Sequence, residues 1–222
     1  MEKSIENIWK EGFLKSDALV APKINNLYNQ KSKHITAKFE RMFKINLIAI
    51  VVFSVVFLIA TMYNGLPVIG ISWFLIMSGL VIVNSRLMKG MNKIINHSNS
   101  YEYLVSFNKW LQNQISINRK MARLYYPLFF LSIVVGFWFV DAEGIPLGER
   151  LVGEVLYGFP DIYMINGIPL LAIVFIAVVV GILALFGGRI YMWDVNLVYG
   201  RVFKKLEELM ADIEELKKIN TS

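Results

Sequence analysis

The stretch INLIAIVVFSVVFLIATMYNGLPVIGISWFLIMSGLVIVNS, residues 45–85, decides the fold. It contains two uncharged apolar runs, Ile45–Tyr63 and Leu66–Ser85, separated only by Asn64 and Gly65. A hydrocarbon core about 30 Å thick needs roughly 20 apolar residues in a helix. Each run therefore predicts one membrane span, and the pair predicts a tight helical hairpin. Two further uncharged runs, Leu124–Val140 and Ile168–Gly188, bring the expected number of spans to four. Pro67, Pro127 and Pro169 are each expected in the first turn of a span, where a missing N–H removes no helix bond.

Composition agrees. Of 222 residues, 56% are hydrophobic and 18% charged, against about 45–50% and 25% in soluble domains. The chain has no cysteine, which removes disulfides, thiolate metal sites and thiol nucleophiles. Its two histidines, His34 and His97, are too few for membrane di-iron, iron-oxygenase or bis-histidine haem chemistry. No Walker loop, nucleophile elbow, dinucleotide fingerprint or His-Glu-x-x-His motif occurs. No catalytic residue, cofactor site or metal site is expected, and a non-enzymatic role follows.

The position of the basic residues sets the expected orientation. Lys and Arg number nine in residues 1–44, seven in 86–123 and six in 189–222. The remaining segment, 141–167, has only Arg150. The positive-inside rule then places both termini in the cytoplasm. Domain organisation follows as a cytoplasmic segment 1–44, a transmembrane hairpin 45–85 and a cytoplasmic helical hairpin 86–123. Spans three and four occupy 124–188 with an acidic outer loop at 141–167, and a cytoplasmic helix occupies 189–222. The first apolar run begins only after 44 residues in which charged and polar side chains interrupt every apolar stretch, so no cleavable leader is expected and the first span serves as the targeting signal. A bacterial inner membrane is the expected location.

The cytoplasmic segments read as amphipathic helices. Ile24, Leu27, Tyr28, Ile35, Phe39, Met42 and Phe43 keep to one face and run into the first span. Ahead of them, Ile5, Ile8, Trp9 and Phe13 share a face of a short segment that suits either the membrane interface or packing on a neighbour. The second span is expected to continue through Met91, Ile94 and Ile95, with a break at His97-Ser98-Asn99-Ser100. Val195, Val198, Val202, Leu206, Leu209, Ile213 and Leu216 recur at spacings of three and four, a coiled-coil-like seam. That seam serves either packing within the chain or binding of a partner or a second copy. Trp9, Arg41, Arg86, Arg123 and Arg189 are the expected interfacial anchors, and lipid phosphates account for the basic residues near the cytoplasmic hairpin. Nucleic-acid binding would need a basic surface free of the membrane and is not expected.

Two strings match: Asn64-Gly65-Leu66-Pro67-Val68-Ile69 and Asn166-Gly167-Ile168-Pro169-Leu170-Leu171. A shift of 82 residues brings Asn26, Gln30, Ile35, Lys38 and Arg41 onto Asn108, Gln112, Ile117, Lys120 and Arg123. These matches suggest two repeats of the form helix–span–span–helix. The alternative is that interfacial helices choose similar residues for similar physics. No ionisable residue lies within any span, which weighs against coupled ion transport. Small residues four apart, Ser132 with Gly136, Ala177 with Gly181, and Ala184 with Gly188, favour close helix packing within or between chains. The acidic loop does not have the spacing of an EF-hand, and Leu151–Phe159 is expected as a short helix at the outer interface.

Trp9-Lys10-Glu11-Gly12-Phe13-Leu14, Ala21–Ser32 and Arg41-Met42-Phe43-Lys44-Ile45-Asn46-Leu47 resemble four-span inner-membrane proteins of the Bacteroidetes, a family without an established activity. The resemblance runs along the whole chain. It implies location and source, and it assigns no residue a role. The fold expected is thus all-α and polytopic, with four spans and a helical cytoplasmic layer. Its expected partners are the lipid bilayer, a cytoplasmic protein and further copies of itself. The leading function is a scaffold or regulator, and the alternative is a homo-oligomeric pore.

Overall fold

The computed structural model describes the backbone of residues 5–91 and 100–219, and the side chains of 30–91, 102–141 and 143–214. Among the described residues there are five helices: α1 (Ile5–Tyr63), α2 (Pro67–Met91), α3 (Ser100–Trp138), α4 (Leu147–Gly158) and α5 (Leu170–Ile219). Two antiparallel hairpins flank α4, β1 (Asp141–Ala142) with β2 (Ile145–Pro146), and β3 (Met164–Ile165) with β4 (Ile168–Pro169). The four long helices α1, α2, α3 and α5 are each long and apolar enough to cross a membrane. Their apolar side chains lie largely outside the packed interior: Ile59 is 63% exposed, Leu171 72% and Leu185 74%. In water such continuous apolar surface would aggregate, whereas hydrocarbon solvates it.

The first hairpin forms where Asn64-Gly65 predicts it. Gly65 takes a left-handed φ of +73°. The Leu66 N–H donates to the Thr61 carbonyl at 2.8 Å and the Gly65 N–H to the Met62 carbonyl at 3.2 Å. That is the Schellman pattern of helix termination, and Pro67 then opens α2 with no donor to lose.

The other prolines correct the reading from sequence. Pro127 lies in the interior of α3, not in a first turn, because the helix leading into the third span is continuous with it from Ser100. Its ring leaves the Arg123 carbonyl without the usual i+4 donor. Pro169 belongs to β4, one residue ahead of α5. There the turn Asn166-Gly167, with φ of 49° and 80°, makes a two-residue hairpin with both central residues left-handed. Glu143-Gly144, with φ of 63° and 84°, makes the same hairpin before α4. The matching strings at 64 and 166 thus adopt different local structures, a helix end and a hairpin. The conformational twins are the two Gly-Ile-Pro-Leu sequences, 144–147 and 167–170. Helix α4 covers most of the expected 151–159 stretch but begins earlier, at Leu147, because Pro146 presets the entry to the helix. The short segment expected around Ile5, Ile8, Trp9 and Phe13 is likewise not separate but part of α1.

The chain divides into two compact units. The first gathers residues 1–42, 90–111 and 199–222. Its core centres on Phe39 of α1, only 2% exposed. The Phe39 ring meets Phe107 edge-on at 5.7 Å and Tyr199 at 5.2 Å, with Trp110 and Phe203 slightly farther away. Leu104, Phe107 and Leu111 of α3 and Val202, Leu206 and Leu209 of α5 are all buried with it. Close approach of α1 is helped by its small polar residues Ser32 and Thr36. Thr36 Oγ1 shares a hydrogen bond of 2.7 Å with the Tyr103 hydroxyl.

The second unit gathers residues 43–89 and 112–198. Trp73 of α2 lies between Phe57 of α1, on which it stacks at 4.7 Å, and Phe129 of α3, tilted against it at 4.6 Å. Helix α5 joins through Gly187, where an added Cβ would sit 2.7 Å from the Ala122 carbonyl oxygen of α3. Only glycine permits that backbone approach.

Candidate functional site

Three polar features stand out, two in the second unit and one in the first. The first is a basic cavity of about 330 Å³ between α3 and α5, lined by Arg119, Arg123, Arg189, Leu185, Phe186 and Gly188. Arg119 and Arg123 are four residues apart and share a face of α3. The Gly187-Gly188 step brings α5 against that face. A Cβ at Gly188 would lie 3.1 Å from Arg119 Cγ, so the arginine stem crosses α5 at its glycine. The Arg189 guanidinium sits 5.1 Å from the centre of the Phe186 ring, a cation–π contact that leaves its in-plane N–H groups available. All three arginines are exposed. Among the described residues none of them forms an ion pair, and no carboxylate lines the cavity.

The second feature is a buried amide cluster between α2 and α3. Asn84 Nδ2 donates to Asn118 Oδ1 at 3.0 Å, and Asn118 Nδ2 returns a bond to Asn84 Oδ1 at 2.9 Å. Gln114 Nε2 also donates to Asn84 Oδ1 at 3.1 Å. Two further bonds tie the cluster to helix backbone, Asn84 Nδ2 to the Leu80 carbonyl and Asn118 Nδ2 to the Gln114 carbonyl. Gln114 Oε1 is buried without a partner among the described residues. The sequence places Asn84 near the end of its span, where the default reading is a side chain bonded to its own helix. The structure adds bonds across helices, which spacing within one segment does not reveal.

The third feature is a groove of about 520 Å³ in the first unit, between α1 and α5. His34 and Lys38 line one wall, and Lys205, Glu208 and Asp212 the other. His34 is exposed and beside charged neighbours, as its sequence context implies.

The expected seam residues on α5 divide by burial. Val195, Val202, Leu206 and Leu209 are buried, and Ile213 is partly buried. Val198 is 40% exposed, and Tyr199 takes its place at 6%. The periodicity explains the exchange: Val195, Tyr199, Val202, Leu206, Leu209 and Ile213 alternate four and three without interruption, whereas Val198 breaks the alternation. Counting aromatic residues among the seam candidates would have found it. The seam from Tyr199 onward is consumed in the core of the first unit, beside Phe39. Of the expected anchors, Arg41, Arg86, Arg123 and Arg189 are exposed. Arg123 and Arg189 meet at the basic cavity, which Arg41 and Arg86 do not line. The side chains of Trp9 and Leu216, and the expected break at 97–100 apart from the backbone of Ser100, lie outside the described residues.

In the loop between α3 and α5, Arg150 pairs with Glu143 at 3.4 Å and with Glu154 at 3.7 Å. Such exposed pairs contribute under about 1 kcal/mol each. Among the described residues no group of three His, Asp or Glu side chains is placed to hold a metal ion. No protein-family model, curated protein or solved structure matches this chain.

Proposed function

We propose that this chain is a membrane-held scaffold or regulator that presents its first unit to a cytoplasmic protein partner. The observation that carries this reading is the separate aromatic core around Phe39, built from three helices outside the most apolar stretches. A core of this kind gives a rigid surface, and rigid presentation lowers the cost of binding. The seam faces that core, so the partner's surface is the exposed groove with Lys38 and Lys205 on its two walls. The charge distribution supports a cytoplasmic position for both termini. Together with the resemblance of the opening residues, it supports a bacterial inner membrane.

The test is affinity purification of the full chain from native membranes, comparing wild type with a Lys38→Glu, Lys205→Glu double variant. Both lysines are exposed, so the fold is retained. A partner protein recovered in stoichiometric amount with wild type and lost from the variant is expected. Replacing Leu206 or Leu209 with lysine would not test this, because both are buried within the chain and the unit itself would open.

One observation favours a second reading, a homo-oligomeric pore. Gly136 and Gly188 are occupied by neighbours within the chain, but an added Cβ at Gly181 meets nothing within 4 Å. The Ala177–Gly181 face is thus left for another copy. A particle of this chain alone, in several copies and reduced to monomer by Gly181→Leu, would move the assignment to that reading. As for the helix–span–span–helix repeat, the 82-residue shift places buried Ser32 and Thr36 onto buried Gln114 and Asn118, which supports a common ancestry of these segments.

A further inference from the structure

We propose that the cavity between α3 and α5 binds the phosphate of an anionic phospholipid headgroup, with Arg119, Arg123 and Arg189 as its donors. Three permanently charged guanidiniums line one cavity without a carboxylate among the described residues. Like charges held together beside an apolar layer repel, and an anion relieves that repulsion. Arginine is the side chain best matched to phosphate oxygens, through paired N–H donors in a planar fork. The geometry leaves those donors available: Phe186 supports the face of Arg189, and Gly188 gives room for the stem of Arg119.

The apolar lining selects a lipid over a free phosphate ion. Leu185 and Phe186 lie one helical turn from Arg189 on the span side of α5, and they are 74% and 44% exposed. A headgroup phosphate on the arginines would place its acyl chains along these side chains. Basic pockets between spanning helices at the cytoplasmic leaflet are physically suited to such headgroups. The site lies in the second unit and requires no protein partner, so it stands or falls separately from the scaffold reading.

Native mass spectrometry of the full chain in a neutral detergent tests the proposal. Phosphatidylglycerol, cardiolipin and phosphatidylcholine are titrated in turn, and inorganic phosphate is titrated alone. The expected result is retention of the two anionic lipids over phosphatidylcholine, weakened about tenfold or more in an Arg123→Gln, Arg189→Gln double variant. A Lys33→Gln, Lys204→Gln variant carries the same loss of charge at exposed positions that neither line the cavity nor anchor a span end, and it is expected to bind as wild type does. Thermal unfolding without added lipid, not lowered in either variant, establishes that each is folded. Equal retention of phosphatidylcholine, equal weakening in both variants, or undiminished binding in the first would each overturn the assignment. Saturation by millimolar inorganic phosphate that displaces the lipid headgroup would overturn the lipid as the source and leave a soluble phosphate site.

Discussion

Phe39→Ala opens the first unit. Phe39 is 2% exposed, and its ring on α1 meets Phe107 and Trp110 of α3 and Tyr199 and Phe203 of α5. Truncating a buried phenylalanine costs about 3–5 kcal/mol, from lost transfer free energy plus the cavity left behind. The helical bonds of α5 do not offset that loss, since a helix derives most of its stability from the face it packs. Its exposed Lys204–Glu208 pair at 3.9 Å contributes a few tenths of a kcal/mol at most. Limited trypsin digestion with mass spectrometry should show slow cleavage at Arg201, Lys204 and Lys205 in wild type. Fast cleavage at the same bonds is expected in the variant, and Phe39→Leu should fall between. An unchanged digestion pattern in Phe39→Ala would remove the ring cluster as the organising core.

Asn84→Leu has the second large effect, through a different mechanism. Asn84 is the hub of the amide cluster, accepting from both Gln114 and Asn118 and donating to Asn118. Leucine fills a similar volume but leaves two buried amides without their partner. Each orphaned group costs about 1–3 kcal/mol. Interhelical hydrogen bonds in membranes average only about 0.6 kcal/mol, because the separated helices find other partners. With two groups orphaned at once, a loss of about 2 kcal/mol is expected in unfolding from mixed micelles. Replacing Asn84, Gln114 and Asn118 together with leucine should recover most of that loss, since no polar group is then left unpaired. A triple variant less stable than Asn84→Leu would show that the cluster stabilises through more than mutual satisfaction.

The four helices able to span a membrane were legible because hydrophobic length is a local property. Residues 45–63 and 66–85 need no partner to be read. The Asn64-Gly65 turn was legible for the same reason, since a left-handed glycine followed by proline is a local instruction. Pro127 falls in a helix interior because the helix ahead of the apolar run continues into it without a break, and packed neighbours tolerate a proline inside an apolar helix. Tyr199 lies outside the aliphatic pattern, although strict alternation of four and three selects it. Arg123 and Arg189 were each marked as span-end anchors. That they meet Arg119 at one cavity depends on the Gly187–Ala122 approach, a contact between segments more than 60 residues apart that no spacing rule reaches. The amide cluster was hidden likewise, since Asn84 and Asn118 meet only after α2 and α3 pack.

We propose that this chain crosses the membrane four times with both ends in the cytoplasm. The absence of native cysteine allows a direct test by single-cysteine labelling. Lys33, Glu149 and Lys204 are exposed positions on α1, α4 and α5. Each is replaced by cysteine in turn, and intact cells are treated with a membrane-impermeant maleimide before and after permeabilisation of the inner membrane. With that topology, Glu149→Cys labels in intact cells, while Lys33→Cys and Lys204→Cys label only after permeabilisation. Labelling of Lys33→Cys or Lys204→Cys in intact cells, or protection of Glu149→Cys, would contradict it.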